Sequence, residues 1–364
     1  MGQFSFDNRY CNPDKEKPQI GYLCSYTPIE IIVAAGLQPI KLNTRDEAIK
    51  QADGYTHNTM CAYVRQILDI ALEGSYDQLA GVIFVNSCDA MRRLHDLWRY
   101  YIKTGFTHII ELPRDDTVSK RAFYIKELNT FAQKLEERFS LKITDDNLWG
   151  AIRLINQTRR LLLELSRLRE GNHYSLRASE IFPIMLASTK SDPARFNEEL
   201  ERYLEEIRKD LSMQDKTRQP RVLITGSIID RGDIIELMED FGLSIVAEDL
   251  CTGLRGIGQL VAERDDPWEA LAERYLERAP CARMKGLEQR LKFIYQLIGD
   301  YRVNGVISYS LKFCDPELMF YPFLKADLEN KAIPHLHLEG DGTTASLGQL
   351  KTRIQAFIEM LTKG

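Results

Sequence analysis

The chain has 364 residues, of which 44% are hydrophobic and 28% charged, and its formal net charge is −5. This length exceeds that of one ordinary hydrophobic core and predicts about two domains. The negative charge argues against a dedicated nucleic-acid or membrane-surface binder, because either needs a basic face.

The N-terminal residues, MGQFSFDNRY, lack the basic and apolar regions of a signal peptide. No apolar run approaches the roughly 18 residues that a membrane-spanning helix requires. We therefore expect a soluble, cytoplasmic protein with no membrane partner and no nucleic-acid partner.

The first part of the chain alternates apolar runs with helical patterns. The pattern predicts strands at 19–24, 37–42, 79–85 and 107–112 and helices at 28–36, 61–74 and 90–101. Strands that alternate with helices are typical of a parallel sheet covered on both faces. We therefore predict an N-terminal α/β domain over residues 1–115.

The middle of the chain, residues 116–217, combines helical spacing with heavy charge and has no strand-like runs. This pattern predicts a helical region whose charged side chains are solvated. The sequence KTRQP, residues 216–220, is interpreted as a linker.

The alternation resumes after the linker. Strands are predicted at 221–227, 243–249, 304–310 and 333–339, and helices at 231–241, 286–300, 316–329 and 347–361. These elements predict a C-terminal α/β domain over residues 218–364. The predicted fold class is therefore α/β, with two open parallel-sheet, Rossmann-like domains and a helical region between them.

The two halves carry matching sequences. GVIFVNSCDA at 81–90 and GVISYSLKFCDPE at 305–317 both begin with Gly-Val-Ile, and both place Cys-Asp where the apolar run stops. GYLCSYTPIEIIVAAGLQPIKL and VLITGSIIDRGDIIELMEDFGLSIVAED share a strand, a polar turn, a helix, Gly-Leu and a second strand. A duplication explains both matches.

The chain has seven cysteines, an odd number and too few for a disulfide-rich protein. No two of them have the CxxC spacing of the usual zinc sites. In a reducing compartment such cysteines are buried, reactive or bound to a metal. Taken singly, each is most simply explained as a small core residue.

Six of the cysteines, three from each half, stand at predicted strand ends or helix starts, and only Cys11 lies apart in the polar tail. Open parallel sheets bind ligands beyond the carboxyl ends of their strands. The helices after Cys88 and Cys314 are expected to lower the pKa of these thiols and to favour thiolates, which bind soft metals. We therefore predict a metal or cluster site formed by Cys24, Cys61, Cys88, Cys251, Cys281 and Cys314.

The residue types favour an iron–sulfur cluster over zinc. Zinc sites usually contain CxxC pairs or histidines, and few histidines stand beside these cysteines. Iron–sulfur clusters are held by cysteine thiolates, and ligands scattered along the chain are compatible with a cluster between two domains.

The cysteine-bearing segments resemble the D-component family of the 2-hydroxyacyl-CoA dehydratases. That family includes dehydratase subunits, the B and C subunits of benzoyl-CoA reductase and the double-cubane cluster proteins. The resemblance runs from about residue 19 to residue 361 and is weakest in the helical middle. It is carried by GYLCSYTPIEIIVAAGLQPIKL, CAYVRQILDIALEG, NSCDAMRRLHDLW, DLCTGLRG and the segment from FCDPELMFYPFLKADLENKAIPHLHLEGD to LGQLKTRIQAFIEML.

The resemblance implies that Cys61, Cys88 and Cys314 hold a cubane cluster. The other three predicted ligands raise the number to six, which matches two three-cysteine cubanes joined by a sulfide. This double cubane (8Fe-9S) is associated with the double-cubane branch, which the chain resembles most. The alternative is a single cubane (4Fe-4S) on the first three cysteines, with the others structural.

The function implied by the resemblance is that of an iron–sulfur reductase component. It would accept low-potential electrons from a separate, ATP-hydrolysing iron–sulfur activator, and would reduce small molecules under anaerobic conditions as a homodimer. The sequence has no GxxxxGKS or GxxxxGKT motif, so it fits a division of labour in which ATP binds elsewhere.

Two other functions stay open. The chain could be a 4Fe-4S subunit of a 2-hydroxyacyl-CoA dehydratase, which acts through a ketyl radical, or of a benzoyl-CoA reductase-like enzyme. It could also carry a cluster without catalysing a reaction.

Four further residues are candidates beside the cysteines. Glu30 and Ser25 lie near Cys24 and could exchange protons at the site, although Glu30 could simply be an acid in a helix first turn. Arg255 and Arg283 follow Cys251 and Cys281 and could offset the charge of a cluster or donate to its sulfides. The alternative for both arginines is an ordinary surface position.

Overall fold

The computed structural model describes residue 14 and residues 16–170, 176–209, 219–348 and 350–363. Cys11 lies outside the described residues, as does most of the predicted linker at 216–220.

The first part of the chain forms one parallel sheet with its strands in the order β2-β1-β3-β4. Strand β3 is buried along its whole length, as expected for a continuous apolar run in a sheet covered on both faces. The elements are β1 (Gln19–Tyr22), α1 (Ile29–Ala34), β2 (Gln38–Lys41), α2 (Ala62–Leu72), β3 (Gly81–Val85), α3 (Asp89–Tyr101) and β4 (Thr107–Ile110).

The middle of the chain is helical, as predicted, with α4 (Val118–Phe139), α5 (Asp145–Arg167), α6 (Ala178–Ser188) and α7 (Pro193–Lys209). A capping box at Thr144 starts α5. Helix α6 was not predicted, because the sequence IFPIMLAS is apolar on nearly all sides and gives no amphipathic spacing. Its buried side chains share one core cluster with residues of both halves of the chain, which explains that composition.

The last part of the chain forms a second parallel sheet, with the strand order β6-β5-β7-β8. Its elements are β5 (Arg221–Gly226), α8 (Gly232–Asp240), β6 (Ser244–Asp249), α9 (Leu254–Ile257), α10 (Pro267–Glu277), α11 (Leu287–Asp300), β7 (Gly305–Leu311), α12 (Asp315–Asn330), β8 (His335–Gly340), α13 (Thr344–Gly348) and α14 (Lys351–Lys363). The two sheets have equivalent strand orders, which agrees with a duplication. The predicted fold class is confirmed.

Helix α10 belongs to the C-terminal part of the sequence but packs against α4. Leu271 and Tyr275 share a buried cluster with Ile83 of β3 and Tyr124 of α4. This helix was not predicted, although its Asp266 cap followed by Pro267 is a recognisable start signal. The domain boundaries stay a prediction, and α10 shows that the two halves share their packing.

Within the described ranges, no helix is both long enough and apolar enough to cross a membrane.

The end of β5 requires a glycine, and Gly226→Ala tests this. Gly226 has φ +137°, and a Cβ there would lie 2.0 Å from the backbone oxygen of Tyr309 in β7. We expect the variant to lose at least about 2 kcal/mol of unfolding free energy in a urea titration, from backbone strain and overpacking. Gly150→Ala in α5 is the control, because no atom beyond the adjacent residues and the nearby backbone of the helix lies within 4 Å of its Cβ position. The control should be neutral or more stable by up to about 1 kcal/mol, and equal losses in both variants would contradict the prediction.

Candidate metal centre

The structure places the six predicted cysteine ligands at the carboxyl edges of the two sheets and at the loops beside them. Cys24, Cys88, Cys251 and Cys314 follow β1, β3, β6 and β7, whereas Cys61 precedes α2 and Cys281 follows α10. All six are free thiols, and all are buried or half-buried. Helix α10 packs against residues of the first half of the chain, and this packing places Cys281 near Cys24.

Three of the thiols, Cys61, Cys88 and Cys314, form what we call the outer triad. They line an open cavity of about 1020 Å³. Burial and then the proximity of Cys88 raise the pKa of Cys61 to about 12. Burial and then Cys61 likewise raise the pKa of Cys314. The three thiols are therefore close enough to influence one another's ionisation.

The other three, Cys24, Cys251 and Cys281, form the inner triad. Burial and then the proximity of Cys251 raise the pKa of Cys24. Burial, with Cys251 next, raises the pKa of Cys281 to about 11. Cys281 also lines the open cavity, and its proximity raises the pKa of Cys88. The two triads therefore adjoin at Cys88 and Cys281.

Backbone and hydroxyl donors point at the thiols. Cys61, Cys88 and Cys314 are the N-caps of α2, α3 and α12, and the amide groups of each first turn act to lower the pKa of these thiols. Ser87, Ser25 and Ser227 donate to Cys24, Cys251 and Cys314 respectively.

The expectation that the helix starts lower the thiol pKa values is wrong in its net effect for Cys88 and Cys314. The amide donors do lower these values, but burial outweighs them and the pKa of both thiols is raised. A bound metal is what would deprotonate such buried thiols at neutral pH.

Cys251 is the exception, because cations surround it. Burial opposes its ionisation, but Arg255, Lys41 and Arg278 outweigh burial and hold the pKa of this thiol below its usual value. Lys41 and Arg278 are themselves buried.

Two of these buried cations have no carboxylate partner among the described residues. Lys41 Nζ donates to the backbone oxygen of Leu23 at 2.8 Å. Arg278 donates to the backbone oxygen of Ser25 at 2.8 Å and to its hydroxyl at 3.0 Å, and lies 4.4 Å from the centre of the Tyr26 ring. Burying a cation without an anion is costly. The inner triad is therefore a pocket suited to an anionic group.

The donor set fits a polynuclear cluster better than a single ion. Among the residues that the structure describes, no group of three His, Cys, Asp or Glu side chains could hold one metal ion. In a cluster each thiolate binds a different iron, so the thiolates stand further apart than the ligands of one ion. Two adjoining triads of buried thiols, with unpaired cations beside one of them, fit such a group.

Arg255 and Arg283 both lie at the cysteines. Arg255 is 1% exposed, which excludes a surface position, and its Nη2 donates to the Gly226 backbone oxygen at 2.9 Å and lies 3.9 Å from Cys251 Sγ. Arg283 is half-buried close to Cys88 and Cys281, and its buried Nε has no hydrogen-bond acceptor in the described part of the chain. Their assignment to cofactor binding stays a prediction.

Arg290 is a buried residue of the site that the sequence analysis missed. It lines the open cavity, donates to both carboxylate oxygens of Glu317 at 3.1 Å, and its guanidinium lies 3.9 Å from the centre of the Phe320 ring. Nothing in the sequence marked it, because one arginine in the amphipathic pattern of α11 looks like a solvated charge.

Ser25 and Glu30 have different surroundings. The Ser25 hydroxyl lies in the inner triad, where it donates to Cys251 and accepts from Arg278. Glu30 is fully buried, pairs with Arg159 at 2.5 Å and accepts from the Tyr275 hydroxyl at 2.8 Å. Burial opposes its ionisation, but Arg159 and Arg274 hold the pKa of Glu30 below its usual value. These contacts join α1, α5 and α10, and proton exchange by either residue stays a prediction.

The sheets and the thiols together define a class of protein: a two-sheet α/β protein that assembles cysteines from both halves at one cavity. The family described as 2-hydroxyglutaryl-CoA dehydratase, D-component, matches residues 24–361. The chain belongs to this family, as the resemblance implied.

Relatives match over nearly the whole chain. The chain is 30% identical to a putative dehydratase subunit, YjiM, of Escherichia coli K12, over 94% of this chain and 91% of the relative. It is 26% identical to the (R)-phenyllactyl-CoA dehydratase beta subunit of Clostridium sporogenes, with the same coverage. It is 23% identical to a benzoyl-CoA reductase subunit of Thauera aromatica, over 98% of this chain and 94% of the relative. These names confirm the prediction of an enzyme component.

The ion pair of Glu30 should contribute strongly to stability, and Glu30→Gln tests this. The variant leaves Arg159 buried without its anion, so we expect a loss of about 3–5 kcal/mol of unfolding free energy at pH 7. Because the folded-state pKa of Glu30 lies below its ordinary value of 4.5, this contribution is present above that value and is lost as the pH falls through the folded-state pKa. Urea titrations from pH 7 to pH 2 measure both effects.

Glu263→Gln is the matched control, because Glu263 pairs at 2.8 Å with Arg160, the neighbour of Arg159, but both side chains are substantially exposed. Its loss should not exceed about 1 kcal/mol. Similar losses in the two variants, or a loss in Glu30→Gln that does not shrink in acid, would contradict the prediction.

Proposed function

We propose that the protein is an iron–sulfur reductase component whose six cysteines hold a double cubane. The observation that supports this most is the grouping of six buried or half-buried thiols into two triads that adjoin at Cys88 and Cys281. Three thiols would suffice for one cubane, and the buried cations without carboxylate partners beside the other three favour an anionic group there.

The bound cluster would supply one-electron reduction at low potential. The chain's own residues would orient and enclose it. The amide groups in the first turns of α2, α3 and α12 act to lower the pKa of the outer thiols, and Arg255 and Arg283 would offset the negative charge of the cluster. The outer triad lines the open cavity, so a small-molecule substrate would approach from that side.

A separate ATP-hydrolysing activator would provide the electrons. The sequence has no phosphate-binding loop of the P-loop type, so nucleotide hydrolysis would occur in another protein. Exposed apolar side chains flank the cavity, with Phe313 44%, Met319 72% and Phe323 59% exposed. Such a cluster is typical of a protein interface, and it would place the activator near the outer triad.

A second candidate function is that of a 4Fe-4S dehydratase or benzoyl-CoA reductase-like subunit. The names of the relatives favour it, and so does the cavity, which contains the complete outer triad but only Cys281 of the inner one. The inner thiols would then be structural. Dehydratase subunits of this kind pair with a different chain, whereas the double-cubane function predicts a homodimer.

Iron and sulfide counting after anaerobic purification separates the two candidates. We expect about eight irons per chain for the double cubane and about four for the single cubane. Cys251→Ser and Cys281→Ser should lower the count only if the inner triad binds iron. Cys11→Ser is the control and should keep the wild-type count. Wild-type protein without iron would refute both candidates.

A further inference from the structure

Lys41, at the end of β2, is one of the two buried cations that have no carboxylate partner among the described residues. Its side chain is buried, with the residue 4% exposed, and its ammonium donates to the backbone oxygen of Leu23, the residue before Cys24. Among the described residues, no carboxylate oxygen lies within 4.0 Å of Lys41 Nζ, which is the distance limit for an ion pair. The Asp230 carboxylate favours the charged form of Lys41. However, this carboxylate accepts hydrogen bonds from the Thr44 amide at 2.6 Å and from the Thr44 hydroxyl at 2.7 Å.

Apart from burial, two thiols have the largest effects on the pKa of Lys41. Burial lowers the pKa of Lys41, whereas Cys251 and Cys24 act in the opposite direction and favour its charged form. Arg278, the second buried cation without a carboxylate partner, also lowers the pKa of Cys251. The inner triad is thus the anionic partner that these two cations otherwise lack.

The outer triad has different surroundings, because carboxylates as well as arginines lie beside it. The pKa of Cys61 is raised by burial, then by Cys88, and also by Asp315. The pKa of Cys314 is raised by burial, then by Cys61, and also by Glu317. Arg283 is the cation beside Cys88. Among the arginines at the outer triad, Arg283 and Arg290 line the open cavity, and Arg290 pairs with Glu317 at 3.1 Å. Lys41 and Arg278 at the inner triad are instead buried and have no carboxylate partner among the described residues.

We propose that Lys41, together with Arg278, is the fixed counter-cation of the inner triad and gives iron bound there a higher reduction potential than iron bound by the outer triad. An added electron makes an iron–sulfur group more negative, and a fixed cation in a low-dielectric interior stabilises that reduced state. One electron from a low-potential one-electron donor is therefore held on the enclosed side, away from the open cavity. This inference rests on the proposed function, because only a centre with iron at both triads has two sides.

The test compares the reduction potentials of Lys41 variants in the full-length, anaerobically purified protein. Lys41→Met keeps the length of the side chain and removes its charge, whereas Lys41→Arg keeps the charge. The control is Lys285→Met, because Lys285 is close in sequence to Cys281 but its side chain is 71% exposed and paired with Asp115 at 3.2 Å. Potentials are measured by redox titration monitored with electron paramagnetic resonance, and iron is counted in the same samples.

We expect Lys41→Met to lower the equilibrium constant for the first one-electron reduction at least tenfold, which corresponds to about 59 mV. Lys41→Arg should restore most of this difference, and Lys285→Met should have the wild-type potential. If Lys41→Met also loses iron, recovery of the iron in Lys41→Arg supports the counter-cation role. Iron loss in both variants indicates a packing role and overturns it.

The outcomes separate this inference from the proposed function. About four irons in the wild-type protein refute the double cubane on which the inference rests. About eight irons together with an unchanged potential in Lys41→Met leave the proposed function standing and refute the role of Lys41. Equal shifts in Lys41→Met and Lys285→Met would also refute it, because they would indicate a general effect of surface charge.

Discussion

The proposed site depends on one arrangement, in which buried cations lie beside the thiols of the inner triad. Lys41 and Arg278 have only carbonyl and hydroxyl acceptors among the described residues, and buried thiols resist ionisation because burial raises their pKa. Each set is unfavourable alone: cations without anions are costly, and so are thiolates without cations. Together with a metal that deprotonates the thiols, the two sets compensate each other. Under the proposed function, this mutual requirement distinguishes the inner triad from a group of small core residues.

The fold assembles this pairing from distant parts of the chain. The equivalent strand order of the two sheets puts Cys24 and Cys88 at one carboxyl edge and Cys251 and Cys314 at the other. Helix α10 completes the arrangement, because its packing against α4 carries Cys281 to the first half. The buried contacts of Glu30 with Arg159 and Tyr275 join α1, α5 and α10. The ion pair of Glu30 thus serves the site by fixing the helix that delivers a thiol.

The sequence was sufficient for the features that have a local signature. Strands β3 and β7 were predictable because continuous apolar runs mark strands in covered sheets, and the cysteines after them followed from the strand ends. The position of α10 was not predictable, because it depends on tertiary packing. Neither was the burial of Lys41 and Arg290, since both occupy positions where a charge is ordinarily solvated. The thiol pKa values were predicted from helix starts alone, and burial, which the sequence does not show, reversed the result.

The two sides of the site differ in enclosure as well as in charge. The outer triad lines a cavity of about 1020 Å³, whereas the cavity that contains Cys251 and Lys41 is about 90 Å³. Water screens charges in a large open cavity, so Asp315, which lines it, acts weakly over distance there, whereas the buried Lys41 and Arg278 act in a medium of low dielectric constant. Enclosure therefore amplifies the effect of Lys41 on whatever binds to the inner thiols. Because the apolar rim of Phe313, Met319 and Phe323 lies on the open side, substrate and electron donor would both meet the outer thiols first. A charge held on the inner side would then be shielded by the protein from premature reaction with solvent.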